Sequence, residues 1–231
     1  GHDGSVGYLS TDDLSHDHTE PTHWVTAARS LVYPDPKGEY PAALGLGFMA
    51  RVAVEGEEGN YARLATDGWM FAKHLAAIGD TRPDFTATAT MLSGVPYLWG
   101  GRGGLGIDCS GLIQVPLAAA GIFVPRDSDQ QVDAIGRDLG VPDDLSDLQA
   151  GDILFFPGHV GIYLGGGKFL HASSFDMMVV TTGTRRVWPV TGVGALTDDY
   201  SLTSDWDNQW LTGGTEDDVI KEAHLDKDSI F

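Results

Sequence analysis

One segment of this chain is long and apolar enough to make a core helix, and it begins at the only cysteine. Cys109–Ala120 lies between Asp108 and Gly121. A glycine just past an apolar helical run is a common left-handed stop. Pro116 lies inside the run, lacks an N–H and crowds the preceding turn, so a bend or early end is expected there. Elsewhere the apolar residues come mainly in short runs cut by Gly, Pro, Asp and Asn, which suits short strands. One central helix among short strands predicts an α+β fold, with helices packed on an antiparallel sheet.

From about residue 24 to 79 the predicted strands are Trp24–Ala28, Ser30–Tyr33, Met49–Glu55, Tyr61–Ala65 and Trp69–Ala72. Turns are expected at Pro34–Gly38, Gly56–Asn60 and Asp67-Gly68. Strands this short and this regularly punctuated predict a small all-β barrel. Gly79–Pro83 reads as a linker, and Asp84–Leu92 as a short helix ended by Gly94. After the central helix, Gln130–Gly136 reads as a helical turn. Asp152–Phe156, His159–Leu164, Lys168–His171 and Met178–Thr182 read as antiparallel strands, with Gly165-Gly166-Gly167 as a tight reversal. Trp188–Val190 is a further candidate strand.

The organisation expected is therefore an arm at 1–23, a barrel at 24–79, a helix-and-sheet unit at 80–195 and a tail at 196–231. The arm is polar; its His16, Asp17, His18 and His23 make at most a weak metal site. Thr197–Phe231 holds ten acidic residues and two lysines, and Thr215 with Asp218 has the spacing of a helix-capping box.

Charge excludes some partners. Fourteen basic against 33 acidic residues give a formal net charge of −19. Nucleic acid and anionic membrane surfaces need basic patches, so neither is an expected partner. No apolar run approaches the roughly 20 residues that span a bilayer, so membrane insertion is not expected either. A lone cysteine excludes an intrachain disulfide and a multi-cysteine metal site. The chain opens Gly1-His2-Asp3-Gly4 without Met, so the lack of a visible signal peptide says little about location. A reduced single cysteine is compatible with the cytoplasm, which is favoured slightly over export.

The chemistry concentrates around the thiol. At the first turn of a helix, Cys109 meets unpaired N–H groups and the positive end of the helix dipole, both of which favour the nucleophilic thiolate. His159 and His171 follow fifty and sixty-two residues on. A thiol, a base and a second imidazole to orient the base are the parts of a cysteine peptidase. Taken singly, a lone cysteine is more often a small buried hydrophobe, and a strand histidine more often structural.

The flanking sequences carry a resemblance. Gly94-Val95-Pro96-Tyr97-Leu98-Trp99-Gly100-Gly101, Asp108-Cys109-Ser110-Gly111 and Pro125-Arg126-Asp127-Ser128-Asp129-Gln130-Gln131 come first. Leu148–Phe156, His159–Tyr163 and His171-Ala172-Ser173 follow in order. Residues 84 to about 182 thereby resemble the NlpC/P60 family of bacterial cell-wall cysteine peptidases, with a papain-like fold. A preceding SH3-like domain and the Arg-Asp-Ser run resemble its γ-D-glutamyl-L-diamino acid endopeptidases, which cut muropeptides with a free N-terminal L-Ala.

The resemblance implies Cys109 as nucleophile, His159 as base, His171 as orienting residue and Tyr97 as an oxyanion donor beside the Cys109 N–H. It implies a peptidoglycan-derived peptide as partner and no cofactor or metal. Arg126, Ser110 and Ser128 are the groups expected to receive or shape the pocket for the glutamate α-carboxylate, unless Arg126 is tied up in a salt bridge with Asp127. Asp108 either binds the substrate amine or caps the helix. Asp127 is a candidate for the free amine, with Glu39, Tyr40, Glu55 and Asp67 as weaker ones. The relatives' tyrosine near the Gly-Trp is absent from Ala65-Thr66-Asp67-Gly68-Trp69.

Rival readings remain at this stage. They are an amidase or endopeptidase on intact wall stems, another acyl-transfer enzyme, an inactive wall-peptide-binding protein, and a zinc enzyme using Cys109, His159 and His171. Oligomeric state and the third residue of the substrate are not legible.

Overall fold

The structure is a computed structural model that describes residues 8, 10–13, 19–140, 146, 148–183 and 192–195. His16, Asp17, His18, the Trp188–Val190 strand and the Thr215–Asp218 capping box lie outside the described residues.

The N-terminal region is all-β and antiparallel. Its strands are β1 (His23–Val25), β2 (Arg29–Tyr33), β3 (Leu44–Gly47), β4 (Arg51–Val52), β5 (Val54–Glu58), β6 (Tyr61–Leu64), β7 (Trp69–Phe71) and β8 (Leu75–Ala77). They form sheets of order β3-β2-β7-β6-β5 and β4-β1-β8. Alternation explains β2: Ser30 and Val32 are buried while Arg29 and Leu31 are exposed. Val25, Val32, Val52, Leu64 and Met70 make the local core.

Three expectations need correction here. Met49–Glu55 is not one strand but β4 and the start of β5, broken at Ala53. The Gly56–Asn60 turn shrinks to Gly59-Asn60, because Glu58 pairs with Tyr61 and Gly56–Glu58 belong to β5. Glutamates are tolerated there because β5 is a sheet edge, where charge also discourages further pairing. Strands β3 and β8 were not expected; the Leu-Gly alternation of β3 has too few branched or aromatic residues to read as a strand.

The second region begins with α1 (Phe85–Met91), capped by Asp84, whose Oδ1 accepts the Ala87 N–H at 2.8 Å. A short hairpin, β9 (Arg102–Gly103) and β10 (Gly106–Ile107), leads into α2 (Cys109–Ala119). Pro116 does not end α2, which runs on to Ala119. The proline removes a single donor, and the helix closes beyond it by a Schellman motif. Ile122 N–H bonds Leu117 C=O at 2.8 Å, and Gly121 N–H bonds Ala118 C=O at 3.0 Å, with Gly121 at φ +84°.

Helix α3 (Ser128–Ala134) follows, then β11 (Arg137–Asp138), β12 (Ile153–Phe156), β13 (His159–Gly165), β14 (Lys168–Ser173), β15 (Met178–Gly183) and β16 (Gly192–Ala195). The sheet order is β11-β16-β12-β13-β14-β15. β13 and β14 are joined through Gly166-Gly167, both at positive φ, since Gly165 pairs with Lys168. Ile153, Phe155, Val160, Ile162, Leu170 and Ala172 face the core with α2. Leu154, Phe156, Tyr163 and Phe169 pack together in a second cluster, as strand alternation requires.

The two regions share packing. Trp24 and Phe48 meet edge-to-face at 5.8 Å and join the core that contains Cys109, Leu112 and Ile113. The Arg82 guanidinium donates to Thr26 C=O at 2.8 Å. At the tip of the β9–β10 hairpin, Gly104 lies so close to Ala28 C=O and Gly47 that any side chain there would collide with backbone. Among the described residues, no helix is long and apolar enough to cross a membrane.

Candidate active site

Cys109 is the first residue of α2, and the buried Asp108 caps the helix by accepting the Gly111 N–H at 2.8 Å. The same carboxylate takes the Gly100 N–H at 2.8 Å and a two-pronged salt bridge from Arg126. Nη1 meets Oδ1 at 3.0 Å and Nη2 meets Oδ2 at 2.6 Å. Arg126 Nη1 also donates to Ser110 Oγ at 2.7 Å. Gln131, fully buried, donates its amide to the Ser110 and Pro125 carbonyls at 3.0 and 2.9 Å. The thiol thus stands on a helix start stitched by charge-assisted bonds, which are stronger than neutral ones. Gly111 is obligatory, because a Cβ would sit 2.5 Å from Gly101 C=O.

On the opposing side, His159 begins β13 and His171 lies on β14. His159 Nε2 and His171 Nδ1 are 2.8 Å apart. The rings of Phe156 and Phe169 flank His159, and that of Phe169 lies 4.9 Å from His171. Thr182 Oγ1 is 3.3 Å from His171 Nε2.

The electrostatics correct one expectation. Burial pushes the Cys109 thiol up to about 11, and the Asp108 carboxylate adds to it. The N–H groups of Val160, Ser110 and Cys109 act the other way and do not offset it. Desolvation therefore outweighs the helix start, and the resting thiol is protonated. Burial, then His171, holds His159 down to about 3. Burial holds His171 down to about 4, against the opposing pull of Asp176. The resting pair is a neutral thiol and a neutral imidazole. Burial first, then Cys109 and Asp108, raises Tyr97 to about 12, so its hydroxyl is a standing hydrogen-bond donor.

The residues named from sequence fall into three groups. The thiol of Cys109 meets the Val160 N–H, one residue from His159, and Tyr97 senses its charge; with His171 these four share one neighbourhood. Asp108, Ser110 and Arg126 form the buried scaffold beneath it, where Arg126 pairs with Asp108 at 2.6 Å. Asp127 and Ser128 open α3; the Asp127 side chain is exposed and does not cap that helix. Glu55 pairs with Arg63 at 3.2 Å, Asp67 bonds the Gly68 N–H, and Glu39 and Tyr40 are exposed on the N-terminal region.

Sequence reasoning gave no role to Gln131 or Thr182, although Gln131 stands within a quoted motif. Among the described residues, no three His, Cys, Asp or Glu side chains are grouped to hold a metal ion. The two imidazole nitrogens that face each other are spent on one hydrogen bond.

Comparison with known proteins decides the family. The family model described as NlpC/P60 matches residues 94–196. Residues 94–196 form an NlpC/P60 domain. The chain is 38% identical over 154 residues to the gamma-D-glutamyl-L-lysine dipeptidyl-peptidase of Bacillus subtilis, covering 59% of this chain and 50% of that protein. It is 28% identical over 202 residues to the Bacillus cereus protein of the same name, covering 77% of this chain and 59% of that protein. The crystal structure of an NlpC/P60 family protein from Bacillus cereus matches with a TM-score of 0.58 at 26% identity, over 76% of this chain and 63% of that one. The chain spans about half the length of these curated relatives.

Proposed function

We propose that this protein is a cysteine endopeptidase. Its target is the amide between the side-chain carboxyl of D-glutamate and a diamino acid, in cell-wall peptides with a free N-terminal L-Ala. The observation that carries the reading is the thiol at a buried helix start that meets the Val160 N–H, next to His159 of the hydrogen-bonded pair His159–His171. The name of the Bacillus subtilis relative supports the γ-D-glutamyl bond.

In this mechanism Cys109 Sγ attacks the carbonyl carbon as its proton passes to His159. Because His159 Nε2 faces His171, the accepting atom is Nδ1. The carbonyl electrons move to oxygen, where the Cys109 N–H and the Tyr97 hydroxyl donate to the oxyanion. Collapse breaks the C–N bond, and the His159 Nδ1 proton leaves with the amine. Water then repeats the cycle on the thioester. His171 holds the His159 ring in line throughout.

Both terminal nitrogens of Arg126 are engaged by Asp108, Ser110 and Gly101, so its part in this reading is to hold the pocket rather than to reach out for the carboxylate. Ser110 gives its O–H to Asp108 and belongs to that scaffold too, so Ser128 is left as the group for that carboxylate, and Asp127, exposed at the start of α3, as the group for the L-Ala amine.

The test is incubation with L-Ala-γ-D-Glu-meso-diaminopimelate, its L-Lys counterpart and their N-acetylated twins, followed by mass spectrometry. The expected products are L-Ala-D-Glu and the free diamino acid, from the free peptides alone. Equal cleavage of the acetylated twins would replace this reading with an endopeptidase on intact stems. No cleavage of any of the four would overturn it.

A further inference from the structure

We propose that Thr182, on β15, is a positioning residue that accepts the Nε2–H of His171 and so stabilises the tautomer that the bond to the base His159 requires. The inference rests on the reading of His159 as the base. It follows from one chain of contacts. His159 Nδ1 must be bare to take a thiol proton, so the neutral ring carries its hydrogen on Nε2. That N–H donates across 2.8 Å to His171 Nδ1, which must therefore also be bare. The hydrogen of His171 is then on Nε2. Among the described residues, the hydrogen-bond partner of His171 Nε2 is Thr182 Oγ1 at 3.3 Å.

The strand register puts Thr182 where this bond needs it. His171 pairs directly with Val180, and Thr182 stands two residues on, along the same face of β15. His171 is 6% exposed, so water does not readily replace the hydroxyl. Without that hydroxyl the Nε2–H would be a buried donor with no acceptor, which favours the alternative tautomer. In that tautomer His171 Nδ1–H confronts His159 Nε2–H, donor against donor. His159 then either swings away or moves its own hydrogen to Nδ1, where it blocks the thiol. Thr182 transfers no proton itself and touches no substrate.

Thr182→Val keeps the shape and removes the hydroxyl, and Thr182→Ser restores it. Two readouts apply to each variant. In nitrogen-15 spectra of imidazole-labelled protein near neutral pH, wild type and the serine variant should hold His171 as the Nε2–H form, and the valine variant should lose it. In steady-state cleavage of the γ-D-glutamyl peptide, Thr182→Val should lower kcat about 5- to 10-fold, the size of one neutral hydrogen bond, with KM unchanged. A wild-type His171 found as the Nδ1–H form would overturn the proposal. So would a valine variant with the wild-type tautomer and rate. If wild type cleaves none of the peptides, the proposed function fails while the spectra still decide the role of Thr182.

Discussion

The two walls of the proposed active site are held by opposite physics. The nucleophile side is polar and crowded: Asp108 answers Arg126, Ser110, Gly100 and Gly111 at once, and Gln131 ties α3 to the first turn of α2. The base side is mostly apolar. His159 and His171 sit among Phe156 and Phe169 and are placed by strand register, with one hydrogen bond between them and one to Thr182. The charged wall supplies rigidity. The apolar wall supplies desolvation, which keeps both imidazoles neutral and ready to accept a proton. An enzyme that needs a placed thiol and a free base gains from building the two walls differently.

The contrast can be broken most severely at its meeting point. Cys109→Ala should reduce cleavage by about 10⁴-fold or more, because removing a nucleophile removes the covalent route. Its thermal unfolding should stay within about 1 kcal/mol of wild type, since the scaffold beneath is untouched. A comparable loss of stability would mean that the thiol is structural.

The charged wall should fail next. Asp108→Leu leaves Arg126 buried without its partner and uncaps α2, with an expected cost of about 3–5 kcal/mol in denaturant unfolding. Asp108→Leu combined with Arg126→Met should cost less than Asp108→Leu alone. A double variant as unstable as the sum of its parts would show that the pair is not coupled.

The apolar wall should reveal itself through acid. Both imidazoles titrate below their ordinary value of 6.5 in the folded protein, at about 3 and 4. In that interval the unfolded chain binds protons that the folded chain refuses, so stability falls as pH drops below about 6.5. Cys109 acts in the other direction: its thiol is raised from 9.0 to about 11, so stability falls as pH rises through that interval. Equilibrium unfolding across pH measures both, and a His159→Phe, His171→Phe variant should flatten the acid limb.

How much was legible in sequence follows the same division. The helix start at Cys109 and the strands that carry the two histidines were readable, because local pattern fixes both. The turn at Gly166-Gly167 and the Asp84 and Gly121 helix ends were readable for the same reason, since local backbone needs choose those residues. The protonation state of the thiol was not. The helix start is written in sequence, but the desolvation that outweighs it arises from β13 and the core folding over Cys109. The pairing of Arg126 with Asp108 was hidden too, because eighteen residues of helix and loop bring them together. Strands β3 and β9 to β11 escaped because they are short, glycine-containing or charged, and exist only through their partners.

The central claim, a neutral thiol beside a neutral base, is tested most directly by kcat/KM for L-Ala-γ-D-Glu-meso-diaminopimelate between about pH 5 and 7, below the range where the substrate amine loses its proton. The account predicts a flat profile, because neither Cys109 nor His159 changes charge in that interval. A limb that rises through about pH 6.5, the value of an ordinary imidazole, would contradict it.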